Sequence, residues 1–282
     1  QWGVGPAVLW APFVIVAHGV VLVGRAVGLG WTADGYSLPY LWISAVVTAL
    51  AASAGLLFSL RVAMTVARTG PAVLGTAGIW LASSLPIYQY LLPFWPFGIA
   101  VLVSSVLVWV WHRPGWTASR WLALGALCGF AVSVHPVGVT WSVLPVVSLL
   151  GLDRGTAGER GRALGWFALG GLAGLLPQLI GKAIVHGSPF DTGYRESWRF
   201  LDPDLFRVLF GADHGAFSWT PVLMLSVIGL VIVVRRDRRL GARNPSERRW
   251  DDLVAQDLDR PAARVVVAGA RERELDRGPG AV

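Results

Sequence analysis

Cysteine is almost missing from this chain, since Cys128 is the only one in 282 residues. That excludes an intrachain disulfide and a cysteine metal cluster. Cys128, beside Gly125 and Gly129 in an apolar run, reads as a packed core thiol. Charge is scarce too: 15% of residues are charged, against roughly 25% in soluble domains. Lysine is reduced to Lys182, at the end of an apolar run, where its stem can carry the ammonium to an interface. The sequence has no zinc-ligand spacing, P-loop, dinucleotide fingerprint or serine-triad motif, so soluble nucleotide chemistry has no support.

Apolar residues fill the space. They make up 54% of the chain, with a mean hydropathy of +0.57. Uncharged runs cover Gln1–Gly24, Pro39–Leu60, Pro71–Trp111, Trp121–Gly151, Ala163–Gly181 and Gly215–Val234. A membrane span needs about 20 such residues. Pro71–Trp111 is long enough for two crossings that turn at "LLPFWPF" (Leu91–Phe97), where Pro93 and Pro96 break a helix. The reading is an all-α, polytopic transmembrane bundle of about 7–8 membrane segments over residues 1–234. The charged segment 235–282 lacks a sustained apolar stripe and is expected to be a disordered cytoplasmic tail. Gln1 stands inside an apolar segment, and the chain reads as an N-terminally truncated fragment.

Arginine placement gives an orientation, because cytoplasmic loops are enriched in Lys and Arg. Arg61, Arg68, Arg113, Arg120, Arg154, Arg160, Arg162 and the "RRDRR" of Arg235–Arg239 mark that side, and the +7 net charge follows from them rather than from a nucleic-acid surface. Loop 186–214 mixes Asp191, Glu196, Asp202, Asp204 and Asp213 with fewer arginines, and is expected to be extracytoplasmic. Trp121–Gly151 lies between two basic loops and must cross an even number of times. Two short helices meeting at "SVHPVG" (Ser133–Gly138) satisfy this, since Pro136 biases His135 away from helix. Backbone broken at membrane depth must be buried in protein or line a cavity. Gly125/Gly129 and Gly170/Gly174 are small residues four apart, a spacing that lets helices approach closely in lipid. Many of the 15 tryptophans fall near span ends as interfacial anchors.

Ionisable or polar residues inside spans are few and therefore informative. His18 reads as bonded to a neighbouring helix, and Gln178 as satisfying backbone freed by Pro177. Asp34, in "RAVGLGWTADGYS" (Arg25–Ser37), reads mainly as a turn residue. The polar residues gather most densely from "HGSPFDTGYRESWRF" (His186–Phe200) to "GADHGAFSWTP" (Gly211–Pro221). Leu205–Phe210 is either a short amphipathic helix on the membrane surface or one wall of an outward-facing pocket for a polar group carried on lipid.

The order of "GVGPAVLWAPFVIVAH" (Gly3–His18), "SVHPVG", "LLPQLIGKAIVHGSPFDTGY" (Leu175–Tyr194) and "VLFGADHGAFSWTPVLMLSVIGL" (Val208–Leu230) resembles bacterial C-type polytopic membrane glycosyltransferases, on the side of the dolichyl-phosphate-mannose protein mannosyltransferases. The resemblance covers most of residues 3–234. It implies an inner-membrane enzyme that moves a sugar from a polyprenyl-phosphate donor to an extracytoplasmic acceptor. A carboxylate in the first outer loop would be the general base, and cationic groups or a divalent metal would stabilise the departing phosphate. That catalytic aspartate would lie upstream of Gly3, so the isolated chain is expected to be inactive. "PFWPFGIA" (Pro93–Ala100) stands where relatives often carry a Ser-His step. Arg195, Arg199, Arg207 and His214 are then the candidates to hold phosphate, with Asp213 beside them, Trp219 to stack on a sugar or anchor the helix, and His135 at a cavity. No metal ligand set and no nucleic-acid partner are expected; the partners are the bilayer and the lipid-linked sugar. A transporter or flippase of lipid-linked sugars, or a non-catalytic membrane remnant, are the alternatives. An outer loop just before Gly3 would make the first segment run inward, whereas the basic loops make it run outward. Either that segment is not a simple span, or 121–151 crosses once.

Overall fold

The computed structural model describes residues 3–113, 115–152, 155–190, 204–213 and 215–236. Among them every regular element is helical. Three helices are long and apolar enough to cross a bilayer alone: α1 (Gly5–Ala26), α2 (Leu38–Val66) and, after three shorter helices and a five-residue α6 (Val143–Val147), α7 (Ala157–His186). The shorter ones are α3 (Thr69–Leu81), α4 (Phe97–His112) and α5 (Ala118–Val134). After α7 come α8 (Leu205–Phe210), α9 (Ala216–Trp219) and α10 (Val222–Arg236). Ile15, Leu74 and Ile184 are each more than 70% exposed. Apolar surface on that scale marks a protein that meets lipid.

The helix ends follow from local chemistry. Thr156 and Glu159 form a reciprocal capping box at the start of α7, and Gly187, at φ 76°, closes it in the left-handed region that glycine favours. Arg120 donates to the carbonyls of Val110, Trp111 and Gly115, satisfying the open end of α4 from the next helix. Between α3 and α4 the chain forms a π-helical turn at Ile87–Leu91. The turn is held by Gln89, which is buried. Its amide donates to the Ala49 carbonyl (3.1 Å) and the Ser53 hydroxyl (2.8 Å), and its carbonyl accepts from Trp80 Nε1 (3.0 Å).

Helix directions follow from paired contacts. Gly98 lies against Thr48, Gly55 against Val101 and Leu102, and Ser59 bonds Ser105 at 2.8 Å. The numbers rise together, so α2 and α4 are parallel. By the same test α5 and α7 are parallel, with Gly125 against Phe167, Gly129 against Gly171, and Gly170 and Gly174 seated on the Leu122 and Ala126 carbonyls. The two glycine pairs therefore interlock with each other. The Ser133 hydroxyl adds bonds to the Gly129 and Gly174 carbonyls, both 3.1 Å.

The Trp121–Gly151 run folds as expected from the His-Pro step. Helix α5 stops at His135, Pro136–Ser142 forms a 3-10 turn, and the chain then comes back. Trp111 Nε1 donates to the Ser148 hydroxyl at 3.0 Å, and Gly155 abuts the Trp116 ring. The return thus ends at the level where α4 finished, so the run begins and ends on one face. Arg61, near the end of α2, Arg113, just after α4, and Arg120, in the first turn of α5, share that face: Arg61 lies over Phe58 (5.6 Å), Phe58 meets Trp109 (5.1 Å), and Arg113 lies over Trp109 (3.5 Å).

Helix α1 answers the question of direction. Trp10 Nε1 donates to Thr48, and His18 bonds Tyr40, so α1 runs against α2 and with α5. Its first residues do not start at the basic end. Gly3 and Gly5 pack on Ser133 and Val134, and the Val4 amide donates to Gln178 Oε1 at 2.7 Å. The first segment is therefore displaced along the bundle and begins beside the His135 break. Gln178 caps this incoming chain instead of the backbone freed by Pro177.

Candidate functional site

The segment Asp204–Trp219 makes its own small scaffold. The Asp204 carboxylate accepts from the Arg207 amide at 3.1 Å and starts α8, as an N-cap should. The Gly211 amide returns to the Arg207 carbonyl (2.8 Å) and the Gly215 amide to the Gly211 carbonyl (2.8 Å). A Cβ at Gly215 would lie 2.5 Å from the Gly211 nitrogen and oxygen, so the tight "GADHG" turn requires glycine there. Neither glycine carries a group that marks a site in the sequence; their spacing around the acidic residue is the one signal of this turn.

This turn brings three of the expected residues together. Arg207 Nη2 reaches Asp213 Oδ2 at 3.4 Å, with the side chains 71% and 76% exposed. Trp219 Nε1 donates to the Ala212 carbonyl (2.8 Å), and the Ser218 hydroxyl to the Phe210 carbonyl (2.9 Å). The Phe206, Phe210 and Phe217 rings follow one another, tilted, with centroids 5.5 and 5.3 Å apart. An exposed pair like Arg207–Asp213 contributes about 0–1 kcal/mol. Both side chains of the pair stay largely exposed, and the Trp219 indole is tied to the same turn through the Ala212 carbonyl. Arg195, Arg199 and His214 lie outside the described residues.

His135 belongs elsewhere. Its Nδ1 accepts from the Val137 amide at 3.3 Å, capping the 3-10 turn, and its ring lies 5.9 Å from Phe97 in a group that includes Tyr88 and Trp95. Asp34 is a turn residue. It accepts from the Thr32 hydroxyl (2.6 Å) and the Tyr36 and Ser37 amides (2.8 and 2.9 Å). The Thr32 bond, followed by these amides, holds its carboxyl below the usual range. His18 has Tyr40 as the neighbouring-helix partner expected of it, at 2.6 Å.

Among the described residues no three His, Cys, Asp or Glu side chains converge. Among the described residues of this segment, the carboxylate of Asp204 is engaged with a backbone amide and that of Asp213 with Arg207. Comparison with known proteins finds no family model, no curated protein and no solved structure that matches this chain.

Proposed function

We propose that this chain is the membrane-embedded part of a C-type glycosyltransferase that takes its sugar from a polyprenyl phosphate on the extracytoplasmic side. The reading needs seven to eight membrane segments: three helices are long and apolar enough to cross alone, and the shorter apolar helices would have to supply the rest. The observation that carries the reading is the Arg207–Asp213–Trp219 group, built by the "GADHG" turn just before an apolar helix. A polyprenyl phosphate has its charge at the headgroup level and its tail in lipid, which is where such a segment would sit. Arg207 would take the phosphate oxygens, for which the planar guanidinium offers paired donors. As the glycosidic bond to phosphate breaks, negative charge grows on the leaving group, and a fixed cation lowers that barrier. Trp219 would hold the sugar by its exposed face. Asp34 does not serve as the base that deprotonates the acceptor, because its oxygens are spent on the 32–37 turn.

The test has two parts. With Cys128→Ser as background, Ala212→Cys should react with a membrane-impermeant maleimide in intact cells. Reaction only after permeabilisation removes the reading. In membranes of cells that make the protein, Arg207→Ala should lower sugar transfer from a radiolabelled polyprenyl-phosphate donor by about 100-fold at unchanged expression; unchanged transfer removes Arg207's role. The helix breaks at Ile87–Leu91 and His135 also suit a flippase, which uses discontinuous helices near the midplane. Movement of the donor across vesicles without transfer would favour that alternative.

A further inference from the structure

Helix α3 leans away from its neighbours. Ala72 is its one buried residue among those described, while α2 and α4 pack closely behind it. The wedge left between α2, α3 and α4 is a cleft of about 630 Å³, walled by Leu56, Val62, Val66, Ile79, Val101 and Val108. Serines also line it, but their hydroxyls are committed. Ser59 and Ser105 bond each other, Ser104 bonds the Ala100 carbonyl, and Ser83 the Trp80 carbonyl. Apart from Thr76 and the Trp141 ring the wall that remains is aliphatic, so it suits an apolar chain and offers a polar ligand little.

Length and charge narrow the occupant. Along α2 the cleft runs from Leu56 to Ala67, about 16 Å at 1.5 Å per residue. Half of a bilayer's hydrocarbon core is about 15 Å. One lipid chain from one leaflet has that length. The lining residues Ala67 and Pro71, at the end of the cleft, bracket the exposed Arg68. Arg61 and Arg113 stand on this same face, on the Phe58–Trp109 pair. A hydrocarbon slot one leaflet deep, ending among arginines, is complementary to an anionic lipid and not to a neutral one.

We infer that the α2–α3–α4 cleft holds one chain of an anionic phospholipid, with its phosphate at Arg68. None of the residues lining this cleft belongs to the Arg207 group, so the site stands or falls independently of the glycosyl-transfer reading.

Gly75 lines the cleft, and a Cβ built on it meets nothing within 4 Å. Gly75→Phe should therefore fold and fill the slot. Arg68→Gln, at an exposed position, leaves the slot open and removes the charge. Native mass spectrometry of the purified chain would read both, in micelles containing phosphatidylglycerol and phosphatidylcholine in equal amounts. The parent should retain one phosphatidylglycerol. Gly75→Phe should lower that bound fraction roughly tenfold while keeping the parent's circular dichroism. Arg68→Gln should still bind lipid but lose the preference for phosphatidylglycerol. Equal lipid retention by Gly75→Phe overturns the site. So does a parent dimer that Gly75→Phe dissolves, which would make a second copy the occupant. An unchanged headgroup preference in Arg68→Gln overturns the anionic assignment.

Discussion

Replacing glycine by alanine at two positions of α7 should shift stability in opposite directions. Gly165 has open space around it, with nothing within 4 Å of a built Cβ. There alanine brings only better helix propensity, a gain of up to about 1 kcal/mol. Gly174 sits on α5, where a Cβ would strike the Ala126 carbonyl oxygen and lie 2.8 Å from the Phe130 nitrogen. Both atoms are backbone and cannot swing aside. The helices would have to separate by on the order of 1 Å, which forfeits a quarter to a half of the dispersion attraction across the seam. Overpacking of this kind costs about 1–3 kcal/mol. Separation also stretches the Ser133 bond to the Gly174 carbonyl (3.1 Å), which adds roughly 0.6 kcal/mol. Against the propensity gain, Gly174→Ala should come out about 1–3 kcal/mol less stable. Unfolding in mixed micelles, titrated with a denaturing detergent and followed by tryptophan fluorescence, reads both variants on one scale. If the two substitutions move the midpoint the same way, the proposed seam is wrong.

Two further outcomes are expected. Gln89→Leu leaves the Trp80 indole and the Ala49 carbonyl without their partner, at about 1–3 kcal/mol for each buried group; the same titration should show a loss well above that of Ser53→Ala, which removes one bond. Asp34 titrates in the loop before α2. Its carboxyl is held below the ordinary value of 3.8, so the turn's contribution is complete above the unfolded pKa and disappears as pH falls through the folded one. Pepsin cleavage within residues 27–37 should therefore rise as the pH drops below about 4 in the parent, and be equally fast throughout that range in Asp34→Ala.

Local rules made much of this fold legible. The His135–Pro136 step announces a break because proline excludes helix from the residue before it, and the chain turns there. Gly125/Gly129 and Gly170/Gly174 announce close approach, although the spacing alone does not say that each pair is the other's partner. What escaped the sequence depends on distant contacts. Gln89 stands in an apolar run, and its partners Ala49 and Ser53 lie 40 and 36 residues away. The displacement of α1 is set by Gln178 taking the Val4 amide, 174 residues apart. The lean of α3 is set by packing that hydropathy does not encode, since its composition matches that of its neighbours. At the candidate site, the aromatic and charged types pointed to Arg207, Asp213 and Trp219. The two glycines that bring them together carry no charge and drew no attention.

The parallel arrangement of α5 and α7 has a consequence for how the chain is made. Ser133 and the Gly174 it binds are 41 residues apart, and a ribosome adds about 5–20 residues per second. The glycine groove of α5 is thus synthesised some 2–8 seconds ahead of the surface that fills it. Until then it lies open in the translocation machinery, able to accept any small-residue helix that passes. The return through Pro136–Leu152 must be laid down first, so the two helices meet by sliding sideways in the bilayer and not by simple hairpin folding.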